Sequence, residues 1–175
     1  SAGRFTRVKR YELEPEYDVA VVLSGPEPQR SVLEQILTEQ ALEMPHKFII
    51  VQGQTQAKKH YYAADDVEVV SYLTTRELNN VLMASKVLVC RSGYSSIMDL
   101  AGLNKKAILI PTPGQTEQEY LANALSKQQL FITQKQNAIN LDQGIRQLTK
   151  TTGLRPGAYP TDTFKPLLKS WVEGL

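Results

Sequence analysis

The run Arg91-Ser92-Gly93-Tyr94-Ser95-Ser96, followed by Asp99, has the residue types that bind a phosphate or a ribose. Gly93 lets backbone come close to a ligand. Ser95 and Ser96 stand where a helix begins, and the free N–H groups and dipole of a helix start favour an anion. Asp99, expected in the first helical turn, has two readings. In one it closes a capping box, Ser96-Ile97-Met98-Asp99, bonded back to the Ser96 backbone. In the other its carboxylate is offered to a ligand. A second turn, Pro111-Thr112-Pro113-Gly114-Gln115, lies twenty residues on, ahead of Gln118 and Glu119. A third, Ser24-Gly25-Pro26-Glu27-Pro28-Gln29-Arg30, is neither G-x-G-x-x-G nor a Walker loop. Its two prolines stiffen it and remove two N–H donors.

The surrounding pattern positions these turns. Val87–Cys90 is a short apolar run with β-branched residues, which reads as a buried strand. SSIMDLAGL follows as a helix, stopped by Gly102 and Asn104, and AILIP is a second buried strand. TEQEYLANAL is the next helix. Strand, turn, helix, strand, turn, helix is a βαβα unit with parallel strands and a right-handed crossover. Both turns then lie at the carboxyl ends of neighbouring strands, where ligands bind in open α/β sheets.

The rest of the chain repeats the alternation. Tyr17–Leu23 is a strand, and SVLEQILTEQAL is an amphipathic helix. Lys47–Val51 and Val67–Tyr72 are strands. Thr74 with Glu77 forms a capping box for the next helix. Leu130–Ile132 is a short last strand, and Ile139–Lys150 fits a helix. Gly153–Asp162 is a Pro/Gly-rich loop, and Thr163–Val172 is a terminal helix anchored by Trp171. The fold class is α/β: a doubly wound, Rossmann-like parallel sheet of about six strands with helices on both faces.

Composition excludes several classes. The chain has 175 residues and 42% hydrophobic content, which suits a globular domain. A net charge of +2, with scattered lysines and arginines, gives no nucleic-acid footprint. One cysteine, Cys90, excludes an internal disulfide and a multi-cysteine metal site. His46 and His60 have no metal-spaced neighbours and read as surface residues. No apolar run of about eighteen residues spans a membrane, and no signal peptide opens the sequence, so a cytoplasmic location is expected.

The segment RSGYSSIMDLAGLNKKAILIPTPGQTEQEYLANA resembles the C-terminal, donor-binding half of GT-B glycosyltransferases of family 28. That family includes the bacterial enzyme that adds N-acetylglucosamine to the lipid-linked peptidoglycan precursor. Its pattern is roughly R-x-G-x-x-T-x-x-E-L, then small-G-K-P-A-I-L-V-P, then a Pro-rich loop with H-Q and Asn-Ala. Arg91, Gly93, Ser96, Asp99 and Leu100 fall on the first part. Lys106–Pro111 fall on the second and Asn123-Ala124 on the end.

The resemblance implies roles. The acidic residue on this helix holds the ribose hydroxyls of a UDP-sugar, a role Asp99 inherits with one methylene fewer. The H-Q pair, whose Gln contacts the sugar, is replaced by Glu119-Tyr120; Gln115 and Gln118 are nearby amides that could substitute. The first loop faces the diphosphate, and Ser24, Gly25, Gln29 and Arg30 fall near that place. Arg30 could neutralise the diphosphate, or be a solvated side chain. Backbone after the Val67–Tyr72 strand pairs with uracil, so Tyr72 and Leu73 take that position. Tyr72 could pack on the base or be an ordinary strand-end aromatic. No metal or other cofactor is implied beyond the UDP-sugar substrate, and no catalytic base is named on this chain.

The expected organisation is a linker at residues 1–16, from a missing N-terminal half, and a nucleotide-sugar-binding domain at residues 17–175. The implied partner is an N-terminal acceptor-binding domain, in cis or as a separate chain. This piece alone is expected to be inactive, and the whole protein could sit peripherally on a membrane. Two other readings share the architecture. One is a UDP-sugar 2-epimerase, of whose T-E-R-P-E segment Thr116-Glu117-Gln118-Glu119 is a partial echo. The other is a non-catalytic donor-binding subunit of a split transferase.

Overall fold

A computed structural model describes residues 14–153, together with Pro166, Lys169, Glu173 and Gly174. The strands are β1 (Tyr17–Val22), β2 (Phe48–Val51), β3 (His60–Ala64), β4 (Val67–Val70), β5 (Ser85–Cys90), β6 (Lys106–Leu109) and β7 (Ile132–Thr133). The helices are α1 (Gln29–Leu42), α2 (Thr75–Met83), α3 (Tyr94–Leu103), α4 (Thr116–Lys127) and α5 (Leu141–Gln147). The strands form one sheet in the order β3-β4-β2-β1-β5-β6-β7. All neighbouring pairs are parallel except β3–β4. The order runs outward from β1 through β2 to β4, then restarts on its other side at β5. The switch point therefore lies between β1 and β5, where an open sheet leaves a crevice at its carboxyl edge.

The alternation of side chains explains the layers. In β1, Ala20 packs into one apolar cluster with Leu78 and Leu82 of α2, Ile97 and Leu100 of α3, and Leu121 of α4. Val19 and Val21 point the other way, to Leu33 and Leu37 of α1 and Leu141 of α5. Each such buried aliphatic side chain contributes about 1.5–3 kcal/mol before entropy. Register brings the strand ends level, with Val22 opposite both Val51 and Cys90.

The differences from expectation have local causes. The sheet has seven strands rather than about six, because β3 is an antiparallel edge strand. Neither of its faces is covered, so it carries no apolar alternation to read. The last strand begins two residues later than expected. Gln129 takes a left-handed φ of 57°, and Leu130 N–H bonds back to Leu125 O, so the chain is still turning there. Gly102 lies inside α3, and Asn104, at φ 52°, ends it. The Thr74/Glu77 capping box is present as expected. The expected linker lies outside the described residues except for its last three, and the expected terminal helix with Trp171 does so apart from Pro166 and Lys169.

Candidate functional site

A cavity of about 310 Å³ opens at the switch point. Val22, Leu23, Ser24 and Gly25 form one wall, at the end of β1; Leu88 and Cys90 of β5 form the next. Ser95, Ser96, Asp99, Leu100 and Leu103 of α3 close the far side, and Leu78 and Leu82 of α2 supply more apolar floor. The chamber is thus greasy below and polar at the rim, with one carboxylate set into its wall. Asp99 is 5% exposed.

The capping-box reading of Asp99 is incorrect. Helix α3 starts at Tyr94 with Gly93 as its cap, so Asp99 stands in the second turn rather than the first. Ile97 N–H bonds to Gly93 O, and no side chain caps the start. The first-turn N–H groups of Tyr94, Ser95 and Ser96 have no earlier helical carbonyl to bond, the arrangement that favours an anion. Nothing among the described residues requires glycine at position 93, where φ is −63°. An added Cβ would meet only Gln118 Nε2, at 3.9 Å.

Several residues expected at the ligand are bonded within the chain. Arg91 is 1% exposed. Its Nη1 donates to Ile110 O and Pro111 O, and its Nη2 to Gln29 O. The guanidinium therefore ties the start of α1 to the end of β6, and it does not line the cavity. Burial alone lowers its pKa to about 10. Ser92 is fully buried and its hydroxyl donates to Gln118 O, 2.8 Å away. Arg30 lines the cavity and is 5% exposed, which removes the solvated alternative, and four of its five guanidinium N–H groups are bonded within the chain. Nε donates to Glu27, Nη1 to Glu34 and Gln52 O, and Nη2 to Ser31. Burial works to lower its pKa, and Glu34 and Glu27 outweigh that and raise it. A diphosphate would compete with two carboxylates for it.

The amides are also committed. Gln118 accepts from Thr112 N–H and donates to Gln115 Oε1, so both side chains brace the Pro-rich turn. Gln29 Oε1 accepts from Gln136. Glu119 lines a different cleft, beside Asn123, Pro111 and Pro113. Gly114 is exposed, with a left-handed φ of 82° that suits glycine in this turn. Tyr94 is 36% exposed and is not among the residues lining the cavity. Tyr72 and Leu73 are half-buried after β4 and do not line the cavity; Leu73 packs on the core. Of the expected residues the cavity thus gathers Ser24, Gly25, Arg30, Ser95, Ser96 and Asp99.

Nine lining residues were not among those expected at the site; seven are aliphatic, and the other two are Gly53 and Cys90. Gly53, after β2, lines the cavity at φ 72°, and a Cβ there would sit 2.5 Å from Leu23 O. Only glycine lets the β2 turn pack against the end of β1. A lone Gly in Gln52-Gly53-Gln54 was the available signal. Cys90 also lies in the wall. Burial, and then the Asp99 carboxylate, push its thiol up to about 12.

That shift has a consequence for stability. As pH rises past about 9, an unfolded chain loses the thiol proton while the folded chain keeps it to about 12. The folded state then binds more protons, so stability falls with rising pH over that interval. Buried Tyr17, whose hydroxyl donates to Glu68, acts in the same sense above its usual value of 10.0. Cys90→Ala is expected to flatten the fall, read as urea midpoints between pH 8 and pH 11. An unchanged slope would show that the thiol does not titrate differently in the two states.

Residues 19–155 match the glycosyltransferase family 28 C-terminal domain, and the chain belongs to that family. Its curated relatives include the UDP-N-acetylglucosamine–N-acetylmuramyl-(pentapeptide) pyrophosphoryl-undecaprenol N-acetylglucosamine transferase of Methylorubrum populi. The two are 36% identical over 55 residues, 31% of this chain and 15% of that protein. The transferase of the same name from Flavobacterium psychrophilum is 32% identical over 85 residues, 49% of this chain and 21% of that one. The matched stretch is thus a minor part of each relative. Among solved structures, the solution structure of ALG13 superposes with a TM-score of 0.62 at 14% identity, covering 90% of this chain and 96% of that one. Acinetobacter baumannii MurG superposes with a TM-score of 0.60 at 12% identity, covering 95% of this chain and 53% of that one. These likenesses establish the α/β fold of a GT-B C-terminal domain. No helix among the described residues is long and apolar enough to cross a membrane.

Proposed function

We propose that this domain binds the nucleotide-diphosphate sugar of a glycosyl transfer, UDP-linked and of the N-acetylglucosamine type. The observation that carries the reading is the Asp99 carboxylate, buried in the wall of the switch-point cavity beside the uncapped start of α3. A carboxylate accepts two hydroxyls at once, which suits a ribose. The α3 N–H groups, with Ser95, Ser96 and the Ser24-Gly25 turn, would hold the diphosphate and stabilise it as it leaves. Backbone at Tyr72-Leu73 would meet the uracil. The acceptor and the general base that deprotonates it would come from an acceptor-binding N-terminal half. Displacement at the anomeric carbon would be direct and needs no metal bound by this chain. The whole enzyme would act in the cytoplasm, peripherally on a membrane. The names of the curated relatives support the donor, and the 19–155 match supports a division into donor and acceptor halves.

A nucleotide titration tests the reading. UDP is expected to raise the melting temperature by about 5–10 °C at a hundredfold excess over its dissociation constant, with GDP giving less. The purine is larger than the space that fixed backbone would leave for uracil. Equal shifts with UDP and GDP would count against the base position. No shift with UDP or UDP-N-acetylglucosamine would sink the donor-site reading.

A further inference from the structure

The outer edge of β3 closes one end of the sheet, and His60–Ala64 are exposed throughout. Tyr61 and Tyr62 stand 47% and 59% exposed. The strand is held firmly from behind. His60 Nε2 lies 2.8 Å from Glu68, whose other oxygen accepts from the Tyr17 hydroxyl. Lys59 O accepts from Ser71 N–H on the inner side. By alternation, the N–H and C=O groups of His60 and Tyr62 face outward, toward no strand among the described residues. An edge of this kind is a template for another strand unless charge rejects it.

The charge around β3 rejects most strands and accepts one. Lys58-Lys59 precede it and Asp65-Asp66 follow it. Among the described residues, no ion pair uses Lys59, Asp65 or Asp66. In sequence register, a copy turned end for end about Tyr62 brings the Lys58-Lys59 entry of one strand to the Asp65-Asp66 turn of the other, Lys59 toward Asp65 and Lys58 toward Asp66, at both ends. A parallel copy would set like charge on like, which is unfavourable.

We propose that this edge is a self-complementary interface, at which a second copy of the chain adds its own β3 antiparallel about a two-fold axis at Tyr62. A closed two-fold contact uses the same patch on both partners. The two Tyr62 residues exchange backbone hydrogen bonds across the axis. A bulge between Tyr62 and Ala64 limits the regular ladder to the middle of the strand. The tyrosines and the four flanking ion pairs therefore carry the rest. This inference is independent of the donor-site reading, since the edge lies three strands from β1.

Sedimentation equilibrium of the full chain tests it. The contact is smaller than a standard interface, so a dimer is expected with a dissociation constant of about 10–500 μM. K59D sets two Asp–Asp contacts across the axis, and D65K sets two Lys–Lys contacts. Each is expected to weaken the dimer about tenfold or more, with an unchanged melting temperature. The double variant K59D/D65K restores opposite charges and is expected to return within about threefold of wild type. A wild-type chain that stays monomeric to about 0.5 mM overturns the proposal. So does a dimer that survives both single swaps, or a folded double variant that stays monomeric.

Discussion

Asp99→Ala is expected to weaken UDP binding by roughly ten- to hundredfold. The lost interactions are hydrogen bonds to a charged group, worth about 1.5–3 kcal/mol, and each 1.4 kcal/mol is a tenfold change in affinity. The structure also fixes what the substitution should not do. Asp99 is in the second turn of α3, so no helix cap is lost. The isosteric Asp99→Asn removes a buried charge without opening a void, and its melting temperature should stay within about 3 °C of wild type. Titration calorimetry with UDP and 2′,3′-dideoxy-UDP separates ribose binding from a general loss of order. Wild type should prefer the intact ribose by the full margin, and Asp99→Ala should not. A variant that keeps the wild-type preference would place the ribose elsewhere and remove the central residue from the site.

The same helix shows what could be read from sequence and what could not. The βαβα order was legible because buried parallel strands are continuous apolar runs, and VLVC and AILIP stand out against their turns. The position of the α3 start was not. Ser96 and Asp99 have capping-box spacing, but so do many pairs that are not caps. The helix instead begins on Gly93, where an extended residue, φ −63° and ψ 148°, turns the chain off β5. Moving the cap three residues earlier, from Ser96 to Gly93, puts Asp99 in the second turn, where it lines the cavity.

Side-chain destination was the least legible property. Arg91, Arg30 and Gln118 are long polar residues at the carboxyl edge of the sheet, which is where ligand contacts are expected. Nothing in a linear pattern distinguishes a donor aimed at a ligand from one aimed at a neighbouring loop. That choice depends on carbonyls distant in sequence, such as Gln29 O and Ile110 O for Arg91. The edge strand β3 was missed for the opposite reason. Its hairpin signal, aromatic residues and then Asp65-Asp66 before VEVV, was present, but it lay in a polar stretch to which no element was assigned.

Arg91→Ala is expected to give the largest loss of stability of any substitution around the site, about 3–5 kcal/mol. Three carbonyls lose a charged donor, those of Ile110 and Pro111 in buried bonds and that of Gln29 in a part-buried one. A void the size of a guanidinium and its stem adds to the cost. Removal of a buried charge that no carboxylate compensates offsets part of it, and burial is the sole cause of its lowered pKa. The melting temperature should fall by roughly 6–20 °C. Arg91→Lys keeps the charge but has one nitrogen where three carbonyls converge from two loops, and should recover less than half of the loss. Amide hydrogen exchange gives the positional readout. Exchange should quicken first at residues 24–30 and 110–115, the segments the guanidinium joins, and not at the remote end of α5. A ligand-contacting Arg91 predicts the reverse result: a melting temperature within about 2 °C of wild type and a loss confined to UDP affinity. That outcome would return Arg91 to the binding surface and leave the joining of α1 to β6 to other contacts.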